Sequence, residues 1–198
     1  MKAKGSRQSD GVVVVRVAAH AALPAAQRVW RVSTAARGRA PSEQRIERVQ
    51  NKLQDTDAMV VLGWLDEQVV AMALAEPRRE DDGAGPVLPG WGHVSMVFVS
   101  PDRWGQGTGT VLLQGLHRLI ASTRGWTSTG LWTRTGNLRA QRLYVGNGYL
   151  TTGRADTLPT GETIMEMERA NACTLRRRAA ADDEDMSAPI DTGSLHRP

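Results

Sequence analysis

A mixed α/β fold in three layers, organised as one domain, is the architecture this sequence predicts, and three observations carry that prediction. Short β-branched runs alternate with stretches of helical spacing along the chain. The resulting element order, β-α-α-β-β-β-α-β-α-β-β, places helices before and between strands and so calls for helices on both faces of a mixed sheet. At 198 residues and 40% hydrophobic content, the chain is long enough to bury a core without disulfides or metal.

The elements follow in order. Val12–Val17 is short and β-branched, which suits a strand. Leu23 to Arg37 has helical composition, and Pro41 opens a second helix whose Ile46, Val49 and Leu53 share one face. Met59–Trp64 and Gln68–Leu74 are apolar runs separated by Leu65-Asp66-Glu67 and read as a hairpin. Arg78–Gly92, rich in glycine, proline and acid, reads as a long loop. His93–Val99 is the next strand. From Thr110 to Thr123 the spacing is helical, with Leu112, Leu116 and Leu119 on one face and Gly125 as the stop. Thr127–Thr133 is a strand, and Asn137–Gly146 a helix with Asn137 as N-cap. Tyr149–Arg154 and Glu162–Glu168 are the last strands, joined by Pro159-Thr160-Gly161. The folded unit is expected over residues 11–170. Residues 1–10 are a polar tail, and residues 171–198, with an arginine block and an acidic block, form a solvated charged tail.

Composition narrows the function. No run of 18 apolar residues exists, and Val12–Val15 is too short for a secretory leader, so a cytoplasmic protein with no membrane partner is expected. The lone Cys173 has no His or acid pattern around it and no internal disulfide partner. Net charge is +4 and the pI about 9.8. That charge is dispersed, and neither zinc-finger spacing nor an aromatic RNA-binding pattern is present, which argues against a nucleic-acid partner. No metal-ligand spacing stands out.

The strongest local signal is the run from Val97 to Thr110, in which Gly105-Gln106-Gly107-Thr108-Gly109-Thr110 links a strand to an amphipathic helix. Free N–H groups at a helix start bind anions, and glycines let a phosphate approach the backbone. The spacing is G-x-G-x-G. It lacks the lysine of a P-loop and the third glycine of the dinucleotide fingerprint.

This stretch resembles motif A of the GNAT superfamily, the acetyl-CoA-dependent N-acyltransferases, which reads V-x-P-x-x-(Q/R)-G-x-G-(I/V/T)-G followed by a leucine pair. Val99, Pro101, Gly105, Gly107 and Gly109 match, and Trp104 departs, standing where the family has Gln or Arg. A second fragment, Asn137 to Tyr149, is similar to the family's N-x-x-A-x-x-L-Y-x-x-x-G-[FY], matched by Asn137, Ala140, Leu143, Tyr144, Gly148 and Tyr149.

The resemblance implies a three-layer α-β-α, GNAT-like fold with a mixed, mostly antiparallel sheet of about seven strands, in which the fourth and fifth splay apart. It implies acetyl-CoA as the acyl donor, with the pantetheine arm along the backbone of Val97 and Val99 and the pyrophosphate on the amides of Gly105, Gln106, Gly107, Thr108, Gly109 and Thr110. Asn137 would contact the cofactor arm, and an N–H near Phe98 would polarise the acetyl carbonyl. Tyr144 would be the general acid. Some relatives carry a glutamate on the fifth strand as base; Leu131-Trp132-Thr133 holds no carboxylate. His93, Glu76 or a water chain are the remaining bases. The acceptor is expected to be a small-molecule or peptide amine, drawn by Glu80-Asp81-Asp82 or lined by the tryptophans at 30, 64, 91 and 132. A homodimer is expected by analogy. The competing reading is a non-catalytic acyl-CoA-binding regulatory module.

Overall fold

Strand-forming and helix-forming segments alternate along the chain in the computed structural model, which describes residues 11–38 and 40–171. The two expected tails and Cys173 lie outside the described residues, except for Asn171. In order, the elements are β1 (Val14–Val17), α1 (Leu23–Ala35), α2 (Glu43–Gln54), β2 (Met59–Leu65), β3 (Gln68–Arg79), β4 (Val87–Val99), α3 (Thr108–Thr123), β5 (Ser128–Arg134), α4 (Leu138–Val145), β6 (Leu150–Thr157) and β7 (Thr163–Ala170). Short 3-10 turns lie at His20–Ala22, Asp81–Gly83 and Pro101–Arg103.

The strands form one seven-stranded sheet in the order β1-β2-β3-β4-β5-β7-β6. Only β4 and β5 run parallel, and they pair only through Trp91–His93 against Ser128–Gly130. Beyond His93 the two strands separate, and that divergence opens the sheet where the glycine turn arrives.

Each face of the sheet is covered by a pair of helices. Alternation along β3 sorts the side chains: Ala71, Ala73 and Ala75 join the cluster with Leu112, Leu113, Leu116 and Ile120 of α3. Met72 and Leu74 join the opposite cluster with Val29 and Trp30 of α1 and Val49 and Leu53 of α2. Small alanines on one face let α3 lie close to the sheet, and Gly115 of α3 takes the same approach further: a Cβ there would stand 2.4 Å from Val15 Cγ1. The caps follow local chemistry. Ser42 Oγ accepts the Arg45 N–H at α2, and Gly125 (φ 62°) follows the end of α3.

Two expectations about the elements are corrected. Arg78–Gly92 is not a long loop: β3 runs to Arg79, β4 begins at Val87, and the connection is residues 80–86. The glycines and prolines there sit where a ladder tolerates them. The β2–β3 pairing ends at Met59↔Ala75, so Pro77 removes no β2–β3 hydrogen bond. Gly92 is small because Trp126 lies on it; a Cβ would meet Trp126 Cε3 at 2.1 Å. Gly92→Ala should therefore lower the melting midpoint, with a loss of about 1–3 kcal/mol measured by denaturant unfolding. Asn171, expected to begin the tail, is buried; its N–H donates to Thr127 O and its Nδ2 to Trp126 O, both at 2.8 Å.

Candidate functional site

Where β4 leaves β5, a cavity of about 240 Å³ is walled by β4, the glycine turn, the start of α3 and α4. Of the residues expected to bind the donor, Val97, Val99, Gly105, Gly107, Thr108, Gly109, Thr110 and Asn137 line it, together with Tyr144. Phe98 and Gln106 do not. Phe98 packs toward α1 and α2 on the other face, and the Gln106 side chain is tied back to Asp102 O at 2.8 Å.

The peptide groups of β4 alternate in direction along an antiparallel ladder. The Ser100 N–H donates to Val70 O at 2.8 Å, which sets the phase. Phe98, opposite Met72, therefore spends its peptide groups on β3, while those of Val97 and Val99 aim at the opening. The N–H expected near Phe98 is thus available from its neighbours rather than from Phe98 itself. The Val99 carbonyl is already engaged: Ser33 Oγ donates to it at 2.8 Å and Trp104 Nε1 at 2.7 Å. Val97 is left as the residue whose carbonyl faces the opening without such a partner among the described residues. A register shift beside Leu74 and Ala75 leaves Ser95 as an extra residue in β4, with its hydroxyl buried and without a hydrogen bond among the described residues.

The turn has the shape an anion site needs. Gly105 (φ 80°) and Gly107 (φ 77°) adopt the left-handed conformation that disfavours side chains. A Cβ built on either meets nothing within 4 Å, so it would project into open space. Gly107 is the N-cap of α3, and the amides of Thr108 and Gly109 open the helix with no intrahelical carbonyl to reach. The Thr110 amide differs from the expectation, donating to Gly107 O at 2.9 Å. Gly109 carries a packing duty as well, since a Cβ there would stand 3.0 Å from Leu143 Cδ2 of α4. The open turn, its aligned amides and a cavity with no Asp or Glu among the described residues of its lining fit a phosphate-bearing ligand.

Asn137 caps α4, its side chain accepting the Ala140 N–H at 3.3 Å. That cap fixes the first turn of α4 and, two turns on, Tyr144. Tyr144 is 9% exposed and meets Tyr149 edge to face, ring centroids 5.8 Å apart. Burial raises its pKa well above the ordinary tyrosine value, with Tyr149 adding to the rise and Arg37 opposing it. The phenol is held in its protonated form. Tyr149 hydrogen-bonds His117 Nε2 at 3.1 Å and Thr129 Oγ1 at 3.4 Å.

His93 and Glu76 are not at this cavity. They face each other across the β3–β4 ladder and line a second, mainly polar hollow of about 290 Å³ with Lys52, Asp55, Asp57 and Trp132. Burial lowers the His93 pKa, with Glu76 opposing, so the imidazole is neutral near pH 7. The Glu76 carboxylate accepts Lys52 Nζ at 2.6 Å. The acidic wall is Asp55, Asp57 and Glu76; Glu80 and Asp81, expected to attract an amine, are exposed on the connecting turn and do not line the hollow. Of the four tryptophans expected at an acceptor pocket, Trp132 lines this hollow, Trp30 is fully buried in the α1–α2 core, Trp64 packs against that same core, and Trp91 lies beneath the Arg78 guanidinium at 5.3 Å. Arg78 donates to Glu166 and Glu168, both at 2.5 Å, forming the adjoining floor on β7. The strand pattern does not reveal that floor, because it depends on which strand β7 pairs with.

Comparison with known proteins agrees with this geometry. The structure resembles the ribosomal-protein-S18-alanine N-acetyltransferase of Escherichia coli at TM-score 0.64 and 17% identity, over 93% of this chain and 100% of that one. It resembles the ribosomal-protein-alanine N-acetyltransferase of Brucella melitensis at TM-score 0.60 and 21% identity, over 79% and 99%. An aminoglycoside acetyltransferase in complex with coenzyme A aligns at TM-score 0.64 and 20% identity, over 84% and 99%. These identities speak for the fold. No curated protein matches the sequence significantly. The model of the acetyltransferase (GNAT) family matches residues 25–149. That span runs from α1 through the glycine turn to Tyr149, so this chain belongs to the GNAT family of acetyltransferases.

Proposed function

We propose that this enzyme moves an acetyl group from acetyl-CoA to a primary amine by direct transfer. One observation carries the reading: a single cavity at the β4–β5 divergence has the open glycine turn as one wall and the buried Tyr144 as another. Acetyl-CoA supplies the activated thioester, and residues of the chain supply the rest. The amides of Gly105–Gly109 hold the diphosphate, helped by the positive end of α3. The peptide group of Val97 pairs with the pantetheine arm, and an outward N–H of Val97 or Val99 stabilises the carbonyl oxygen as charge develops on it. The amide group of Asn137 contacts the same arm.

Nitrogen forms its bond to the acyl carbon as the carbon–sulfur bond breaks, and Tyr144 gives its proton to the departing sulfur. The amine must first lose a proton. His93, neutral through burial and facing Glu76, is the base this reading favours, acting from the second hollow on an amine held there. The acceptor is a small-molecule or peptide amine, and the carboxylates of Asp55, Asp57 and Glu76 suit its ammonium form. Retention of a buried Tyr144 at the cavity favours catalysis over a binding-only module.

A thiol-release screen with acetyl-CoA against amines, amino acids, aminoglycosides and peptides tests this. Acceptor-dependent thiol release is expected with at least one class. Stoichiometric acetyl-CoA binding with no release across the panel would replace the enzyme by the binding module.

A further inference from the structure

Three arginines, Arg37, Arg103 and Arg139, line the donor cavity, and among the described residues no carboxylate does. Arg103 is engaged locally, by Asp102 at 3.5 Å and Gln106 at 3.4 Å. Arg37 and Arg139 differ. Their guanidinium carbons lie 5.8 and 5.1 Å from the centre of the same ring, that of Trp104. Arg37 also lies 5.6 Å from the Phe98 ring. Both arginines are exposed at the cavity rim, and neither has a carboxylate partner among the described residues.

Two like charges brought to one indole without an acid between them repel each other, and the ring's face recovers only part of that cost. Trp104 is itself fixed by its bond to Val99 O, so its ring is a firm platform. The arrangement is one that an anion would complete. Trp104 is also the position where the family's pattern has Gln or Arg. Here the cation is not on that side chain but held beside it, contributed by α4 and the end of α1.

We infer that Arg37 and Arg139, positioned on Trp104, form a phosphate clamp at the mouth of the donor cavity. The clamp rests on the reading of acetyl-CoA as donor and names residues for its phosphates beyond the glycine turn. Its ligand is a phosphate group of the donor, either the terminal phosphomonoester or the diphosphate. Planar guanidiniums suit both through paired N–H donors. Trp104 is a positioning residue that holds the two arginines at the cavity.

Calorimetric titration of the full chain with coenzyme A, 3′-dephospho-coenzyme A and pantetheine tests the clamp. Arg139→Gln and Arg37→Gln are each expected to weaken coenzyme A binding about tenfold or more. They should leave pantetheine binding unchanged. A penalty that disappears with the dephospho ligand places the clamp on the phosphomonoester, and one that persists there places it on the diphosphate. Trp104→Leu should reproduce the arginine variants, while Trp104→Phe, which keeps a ring but loses the bond to Val99 O, should recover part of the affinity. Equal coenzyme A affinity in the wild type and both arginine variants overturns the clamp and leaves the donor reading intact. An equal penalty on pantetheine overturns the clamp likewise. Failure of the wild-type chain to bind coenzyme A overturns both.

Discussion

Tyr144→Phe is expected to lower turnover by about 10²- to 10⁴-fold while leaving the affinity for acetyl-CoA nearly unchanged. The substitution removes one hydroxyl from a ring that is 9% exposed and packed edge to face on Tyr149. The ring contacts survive, so the protein should fold and the cavity should keep its wall. Only the proton is lost. A general acid acts in the transition state alone, so its removal should appear in kcat and not in donor affinity. Burial keeps the phenol protonated far above neutral pH, so no loss of activity between pH 6 and 9 should trace to its ionisation. Single-turnover kinetics with saturating acetyl-CoA, beside direct binding of the donor, separates the two quantities. Unaltered turnover would remove Tyr144 from the role, and a matching loss of donor affinity would make it a wall residue.

Acid should destabilise the protein earlier than its carboxylates alone would require. His117, on the buried face of α3, is 8% exposed and is bonded to Tyr149. Burial, with Arg169 adding to it, lowers its pKa from about 6.5 to about 3. His93 is shifted in the same direction by burial. A folded pKa below the unfolded one means that the unfolded chain binds more protons. The stabilisation is therefore complete above pH 6.5 and is lost as pH falls, continuing toward pH 3 for His117. His117 contributes a slope of about 1.4 kcal/mol per pH unit in that window, and His93 adds to it in the same direction. For His117 alone the loss between pH 6.5 and 4 is about 3 kcal/mol, a large share of a typical domain's stability. Denaturant unfolding at a series of pH values measures it. His117→Gln should flatten the curve over this range, since a glutamine occupies the site without titrating. A variant curve parallel to the wild type would show that His117 is not the group responsible.

The two motifs were legible because each depends on neighbours in sequence. A glycine turn before an amphipathic helix, and an N-cap followed by a tyrosine on the next turns, are local arrangements that chain geometry alone enforces. The burial of His117 was legible in principle too, since it stands four residues after Leu113 and three before Ile120 on the apolar face of α3. The extension of β3 and β4 through residues 77–92 was not. Proline and glycine signal a break locally, and only the absence of a β2 partner beyond Ala75 and the Trp126 ring lying on Gly92 explain why a ladder accepts them.

The site divides the same way. The sequence by itself determined the fold class, the family pattern, the glycine turn and Tyr144, because each is written in spacing along one segment. Tertiary structure alone decided that His93 and Glu76 share a hollow apart from the cavity at the glycine turn. It decided that Val99's carbonyl is taken by Ser33 and Trp104, and that Arg37 and Arg139 meet at one indole. Those facts join residues up to 102 positions apart, Arg37 and Arg139 being the farthest. No local period records such a meeting; it is set by which strands pair, where β4 parts from β5, and which helix ends the packing of two cores brings to the opening.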